Sequence, residues 1–263
     1  MADKMTVPEV VKKKLRGEKI VVLTAYDYPT GKIADEAGVD IVLVGDSLGM
    51  VVLGFENTIP VNIDIMVHHT AAAARGVSRA LIVADMPFMS YQASVEDAIR
   101  NAGRLMQEGG AHAVKLEGGA AVAEAVERMV KLGIPVMGHL GMTPQSVHQF
   151  GGYRMQGREE PAAVRILEEA RLLEECGVFA LVLELVPSDL AKRITETLSI
   201  PTIGIGAGQH CDGQVQVIHD ILGFYDRFVP KHTRRYAEIW KSAESAVSEY
   251  VSDVRAGRFP VDQ

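Results

Sequence analysis

The chain has 263 residues, 48% of them hydrophobic, enough for one α/β domain with a sizeable core. A net charge of −7 argues against nucleic acid as a partner, because such proteins present a basic face. The 2 cysteines, Cys176 and Cys211, stand far apart in no metal-binding spacing, and no apolar stretch approaches a membrane span; these features point to a soluble protein of the reducing cytoplasm.

The N-terminus, MADKMTVPEVVKKK, is polar and lacks the apolar centre of a signal peptide. Within it Thr6-Val7-Pro8-Glu9 reads as a capping box with proline in the first turn, which predicts a helix ahead of the first strand. Short apolar runs bounded by Gly, Pro, Asp or Asn then predict strands over 20–25, 41–45, 81–84, 112–116, 135–139, 180–185, 201–205 and 215–221. Helical spacing fills the intervals: Ile65, His69, Ala72 and Ala73 mark one helix, and Val164, Leu167, Leu172 and Leu173 another. Past the last strand, Tyr236, Ile239, Trp240, Ala243, Val247, Tyr250 and Val254 recur at helical spacing.

Eight strands alternating with helices predict an α/β fold, a single (β/α)8 TIM barrel over residues 1–263 with an extra N-terminal helix and a long C-terminal helix. No linker, repeat or low-complexity segment divides it. A doubly wound dinucleotide-binding sheet would need G-x-G-x-x-G after its first strand, and AYDYPTGKIA has a single glycine there.

In such a barrel the working groups sit at the C-terminal ends of strands. Asp46, Asp85, Lys115, Glu117, His139 and Glu184 all fall at or near such ends and are expected to converge on one mouth. Lys115 and Glu117, two apart, point to the same face, with Val114 and Leu116 toward the helices. Glu184, between Leu183 and Leu185, is directed inward, where a carboxylate is costly unless paired, hydrogen-bonded or on a metal. Each residue alone has a plain structural reading: Asp46 as a helix cap, Lys115 with Glu117 as an ion pair, His139 as a satisfied core histidine. Six such groups on one face are more than independent accidents supply.

Carboxylates gathered around one lysine suit a hard divalent cation, and Mg²⁺ prefers one or two carboxylates with waters and substrate oxygens. Zinc is not indicated, since His68 and His69 lie on a helix outside any HExxH pattern. The cation and Lys115 would polarise a carbonyl and hold a neighbouring carboxylate, while another carboxylate or His139 removes an α-proton. The residues thus point to metal-assisted enolate chemistry on a small oxo acid. Two loops stay open between readings. GIGAG at 204–208 suits either a phosphate turn or close packing, and FGGYRMQG at 150–157 either a lid or a plain surface loop.

Seven stretches together, TAYDYP (24–29), LVGDSLGM (43–50), LIVADMPFMSY (81–91), VKLEGG (114–119), GHLGMTPQSVHQFGGYRMQG (138–157), LVLELVP (181–187) and IPTIGIGAG (200–208), resemble the ketopantoate hydroxymethyltransferase family. The likeness runs from about residue 6 to 235, with Met142 and Met155 as mild apolar departures. It implies an enzyme of pantothenate biosynthesis that moves a one-carbon unit from 5,10-methylenetetrahydrofolate to 3-methyl-2-oxobutanoate, giving 2-dehydropantoate. It further implies Mg²⁺ on Asp46, Asp85 and Glu117, and oxo-acid contacts from Asp46, Ser47, Asp85 and Lys115. Glu184 would be the proton acceptor, with His139 the second candidate, and the assembly a homodecamer.

Two other functions compete. One is a Mg²⁺-dependent lyase or mutase of oxo acids, similar to phosphoenolpyruvate mutase or isocitrate lyase. Those lyases carry a cysteine in a KKCGH-type loop, whereas the loop here reads EGGAAVAEA. The other is a barrel that binds a metabolite and regulates, which has no need of a base, a lysine and several acids together.

Overall fold

The computed structural model describes residues 4–225 and 230–260. The chain divides into two compact units, Met1–Gln216 and Val217–Gln263.

The first unit opens with α1 (Val7–Leu15). Thr6 caps it by accepting the Glu9 N–H at 3.4 Å, and Pro8 lies in the first turn. The Glu9 carboxylate is taken by Lys12 at 2.6 Å. Lys12, Lys13 and Lys14 fill the last turn, where cations suit the negative end of the helix dipole. Val10, with Met5, Val7 and Val11 beside it, packs into the barrel's interior cluster. Lys13 pairs with Asp40 at 3.0 Å, and Asp40 also accepts the Val21 N–H. Lys14 pairs with Asp212 at 3.0 Å, and Asp212 also accepts the Thr202 N–H.

Eight strands follow: β1 (Ile20–Thr24), β2 (Ile41–Val44), β3 (Leu81–Asp85), β4 (Ala113–Glu117), β5 (Val136–Gly141), β6 (Ala180–Glu184), β7 (Thr202–Ile205) and β8 (Gly213–Gln216). They close in chain order into a parallel barrel, with Ile20 of β1 opposite Gly213 of β8. β2, β3 and β4 are buried throughout, as a parallel sheet covered on both faces requires. Between the strands run α2 (Tyr28–Glu36), α3 (Leu48–Val51), α4 (Ile63–Ala74), α5 (Val95–Gln107), α6 (Ala123–Lys131), α7 (Val147–Phe150), α8 (Glu160–Glu175) and α9 (Ser188–Thr197). The helices expected around Ile65 and Leu167 are α4 and α8. AYDYPTGKIA opens α2 through a reciprocal capping box: Thr30 N–H donates to Asp27 Oδ1 at 2.8 Å, and Asp27 N–H to Thr30 Oγ1 at 3.2 Å.

Strand parity places the site. The interior cluster takes Leu81 and Val83 from β3, Ala113 from β4, Met137 from β5, and Ala180 and Val182 from β6. Side chains alternate along a strand, so the next inward positions are Asp85, then Lys115 and Glu117, then His139, then Glu184. The barrel floor is apolar and its mouth is charged.

The second unit holds α10 (Ile218–Leu222), closed by Gly223 in a left-handed conformation, and α11 (Ile239–Arg255). The eighth strand was expected over 215–221; it runs from Gly213 to Gln216, and Ile218 and Ile221 belong to α10. α11 begins at Ile239 rather than Tyr236, whose N–H bonds the Ile221 carbonyl at 2.7 Å. No residue of α11 is buried. Among the described residues no helix is long and apolar enough to cross a membrane.

Candidate active site

The expected residues meet at one mouth. Asp46 follows β2 and donates its N–H to Asp85 Oδ2 at 3.0 Å. Asp85 ends β3, and its Oδ1 lies 3.1 Å from Lys115 Nζ. Lys115 Nζ lies 3.3 Å from His139 Nδ1, and His139 Nε2 lies 3.4 Å from Glu184 Oε2. Glu117 accepts the Gln145 N–H on Oε2 at 3.0 Å, with Oε1 3.7 Å from His139 Nδ1. Ser47 stands at the entrance of α3, its hydroxyl 2.8 Å from the Tyr26 hydroxyl. Asp46, Asp85, Lys115, Glu117 and His139 are all buried, and Glu184 keeps slight exposure.

The backbone around Glu184 is held from three sides. Its carbonyl accepts the Met142 N–H at 2.8 Å, Leu185 N–H donates to Ile205 at 2.9 Å, and Leu185 O accepts the Gln156 N–H at 2.8 Å. Leu185 adopts φ 45, a left-handed conformation that a branched residue occupies only under such constraint. The strand expected over 180–185 ends at Glu184, and Leu185 leaves it. Gly141, opposite Glu184 in the ladder, has φ 94, and a Cβ there would run into the Glu184 carbonyl oxygen.

Charge follows from this geometry. Burial alone would lower Lys115, but Asp85, Glu117 and Asp46 outweigh it and hold the ammonium above its ordinary range. Burial, then the charge of Asp85, pushes Asp46 up to about 7, against the pull of Lys115 and the Gln145 amide. Burial and Asp46 drive Glu117 well above the usual carboxylate range. Burial, then Lys115, keeps the His139 imidazole neutral. An ammonium only donates, so His139 Nδ1 accepts from Lys115 and the ring proton sits on Nε2, facing Glu184.

The donor set fits a hard divalent cation. Three carboxylates, Asp85, Glu117 and Asp46, act on a single ammonium. Burial beside one another raises Asp46 and Glu117, a strain that a cation on their oxygens would relieve. Asp85 Oδ1 is buried without a hydrogen-bond partner, beside the Lys115 ion pair. Among the described residues no group of three or more His, Cys, Asp or Glu side chains is placed to hold a metal ion. Mg²⁺ needs none, because it is completed by water and substrate beside one or two carboxylates.

The sequence profile of ketopantoate hydroxymethyltransferase matches residues 4–262. The chain belongs to the ketopantoate hydroxymethyltransferase family. It is therefore a transferase, and its family serves pantothenate biosynthesis. Relatives of the family include the 3-methyl-2-oxobutanoate hydroxymethyltransferase of Syntrophus aciditrophicus, 58% identical over 257 residues, covering 98% of this chain and 94% of the relative. That of Geobacter metallireducens is 54% identical over 260 residues, covering 99% and 97%. Among solved structures, a putative phosphonomutase from Burkholderia cenocepacia J2315 aligns with TM-score 0.62 at 13% identity, over 92% of this chain and 98% of that one. A phosphonopyruvate hydrolase complex with oxalate and Mg²⁺ aligns with TM-score 0.63 at 12% identity, over 98% and 90%. At such identities the likeness is one of fold.

Three further residues at the mouth have no periodic signature in the sequence. Tyr26, Tyr91 and Gln145 sit on loops after β1, β3 and β5, within quoted motifs, yet loop residues carry no periodic signal. Of the two histidines set aside for zinc, His69 bonds the Tyr26 carbonyl through Nδ1 at 2.7 Å. In the GIGAG turn, a Cβ on Gly208 would strike Ser188 at the start of α9, so close packing accounts for that glycine. In FGGYRMQG, the Tyr153 hydroxyl reaches Met50 Sδ at 3.3 Å.

Proposed function

We propose that this chain transfers a hydroxymethyl group from 5,10-methylenetetrahydrofolate to 3-methyl-2-oxobutanoate, giving 2-dehydropantoate, by Mg²⁺-assisted enolate formation. Relatives at 58% identity that carry the 3-methyl-2-oxobutanoate hydroxymethyltransferase name support the substrate. The observation that carries the mechanism is the chain of contacts from Lys115 through neutral His139 to Glu184. With Nδ1 engaged and Nε2 protonated, His139 has no free lone pair to take a proton. That leaves Glu184 as the base, 3.4 Å from a buried His139 Nε2 that makes no hydrogen bond.

Asp46 and Asp85 would hold Mg²⁺, with Glu117 beside them, and the ion when bound supplies Lewis-acid polarisation of the 2-oxo group. Lys115 is charged throughout and pairs with the substrate carboxylate or the developing enolate oxygen. Ser47, oriented by Tyr26, offers a hydroxyl to the same substrate. Glu184 accepts the C3 proton. Hydrolysis of the folate's N–CH2–N bridge breaks both C–N bonds and frees the carbon as formaldehyde. The C3 carbanion adds to that carbonyl carbon, and the resulting alkoxide takes back the proton from Glu184. Water completes the balance, giving 2-dehydropantoate and tetrahydrofolate. The test is tetrahydrofolate formation that requires 3-methyl-2-oxobutanoate and stops with a chelator. Turnover indifferent to the oxo acid would refute the substrate, and turnover indifferent to chelation would refute the metal.

The lyase reading lacks support, because the segment after β4, EGGAAVAEA, holds no cysteine: Cys176 caps α8 and Cys211 precedes β8. We also propose a cytoplasmic homodecamer, as the family resemblance implies; sedimentation velocity giving a smaller particle would overturn that assembly.

A further inference from the structure

Gln145 sits in the 3-10 turn Pro144–Ser146 after β5, and it is 6% exposed. Its Nε2 donates to Asp46 Oδ2 at 2.9 Å and to the Met86 carbonyl at 2.9 Å. Its Oε1 accepts from the Tyr91 hydroxyl at 2.7 Å and from the Gln92 amide at 3.2 Å. Its backbone N–H donates to Glu117 Oε2 at 3.0 Å. Tyr91 is fixed in turn, since its hydroxyl accepts the Glu117 N–H at 3.1 Å. One residue thus ties together the ends of β2, β3 and β4. A buried amide is costly unless each polar atom is used, and here each is used on the acids or on what braces them.

We propose that Gln145, braced by Tyr91, is a positioning residue that fixes the carboxylates of Asp46 and Glu117 in the arrangement a divalent cation and the oxo acid require. This rests on the metal reading above. The amide N–H donates to one oxygen of Asp46, and the backbone N–H to one oxygen of Glu117. The 3-10 turn therefore selects which oxygen of each acid remains for a ligand. An apolar side chain of the same size would fill the space and make no such selection.

The test measures Mn²⁺ binding by electron paramagnetic resonance, and KM and kcat for 3-methyl-2-oxobutanoate, in wild type, Gln145→Met and Tyr91→Phe. Thermal melts report folding separately. Gln145→Met keeps the volume and the backbone N–H but loses both amide functions. It is expected to weaken Mn²⁺ about 10–100-fold, the usual effect of losing a partner of a metal ligand, and to raise KM with a smaller effect on kcat. Tyr91→Phe touches neither acid side chain and is expected to shift the same quantities less. A Gln145→Met protein that melts lower but binds Mn²⁺ and substrate as wild type does would overturn the positioning role. If Gln145→Met does not fold, Tyr91→Phe decides alone, and unchanged Mn²⁺ affinity there overturns it. A wild type that binds no Mn²⁺ would instead overturn the metal reading and this inference with it.

Discussion

Glu184→Gln separates proton removal from every other task at the site. The backbone at Glu184 is pinned by hydrogen bonds from Met142 N–H, to Ile205 O and from Gln156 N–H, so a near-isosteric amide stays where the carboxylate was. His139 Nε2 remains its neighbour, and the acids at the ends of β2, β3 and β4 are untouched. What disappears is proton-accepting capacity alone. Loss of a positioned general base slows a reaction by about 10²–10⁴-fold, which is about 2.7–5.4 kcal/mol at 1.36 kcal/mol per decade. The assay is loss of the C3 deuteron from labelled 3-methyl-2-oxobutanoate into water, followed by NMR with Mg²⁺ and without folate. His139→Asn is expected to slow exchange less, because the imidazole is already engaged by Lys115 and its basicity is suppressed. Normal exchange in Glu184→Gln together with lost exchange in His139→Asn would reverse the two roles.

Asp46→Ala and Asp85→Ala should each remove most activity while the circular dichroism spectrum stays that of a folded barrel, since neither side chain belongs to the apolar packing, although Asp85→Ala should melt lower for want of the partner of buried Lys115; a doubly substituted enzyme fully active in chelator would refute this. Lys115→Met should cost about 3–5 kcal/mol in urea denaturation, because it leaves buried carboxylates without their counter-charge. The folded Lys115 titrates above its unfolded value, so its stabilisation is complete below about pH 10 and fades only in stronger alkali; a gap between wild type and variant that closes between about pH 7 and about pH 9 would contradict it. The same lysine should resist borohydride trapping of the oxo acid, and a reduced adduct on Lys115 would establish an imine instead. Asp35 is buried but held below the usual range by the N–H groups of Ser78, Arg79 and Ala80. Its contribution is present above about pH 4 and lost as pH falls below the folded value. Asp35→Asn should therefore destabilise by about 1.5–3 kcal/mol near neutrality, with the difference shrinking in acid.

Seven strands were legible because each is a short apolar run that fills a buried parallel sheet. The eighth was displaced for a physical reason. Gly213 and Gln214 join β8 to β1 through backbone hydrogen bonds, and their side chains carry no strand pattern, whereas Val217, Ile218 and Ile221 mimic one. The inward acids were legible by parity: Lys115 and Glu117 continue the interior side begun by Ala113, as Asp85 continues that of Leu81 and Val83. Gln145 and Tyr91 were not, since their partners lie on other strands and only closure of the barrel brings them together. The left-handed Leu185 was likewise hidden, because its conformation is imposed by Ile205 and Gln156 rather than by its own propensity.

The seven candidate residues come from the strands β3 to β6 and the turn after β2; β7, β8 and β1 supply none of them. Lys13 and Lys14 of α1 serve that other arc. One reaches Asp40, which also holds β1 through Val21, and the other reaches Asp212, which also holds β7 through Thr202. Adjacent residues of a single helix thus stitch both sides of the seam where the last strand meets the first. Resistance to heat and denaturant can accordingly be adjusted at this stitch by substitutions that leave the reacting groups in place. Loosening it is expected to open the ring on the side away from the acids.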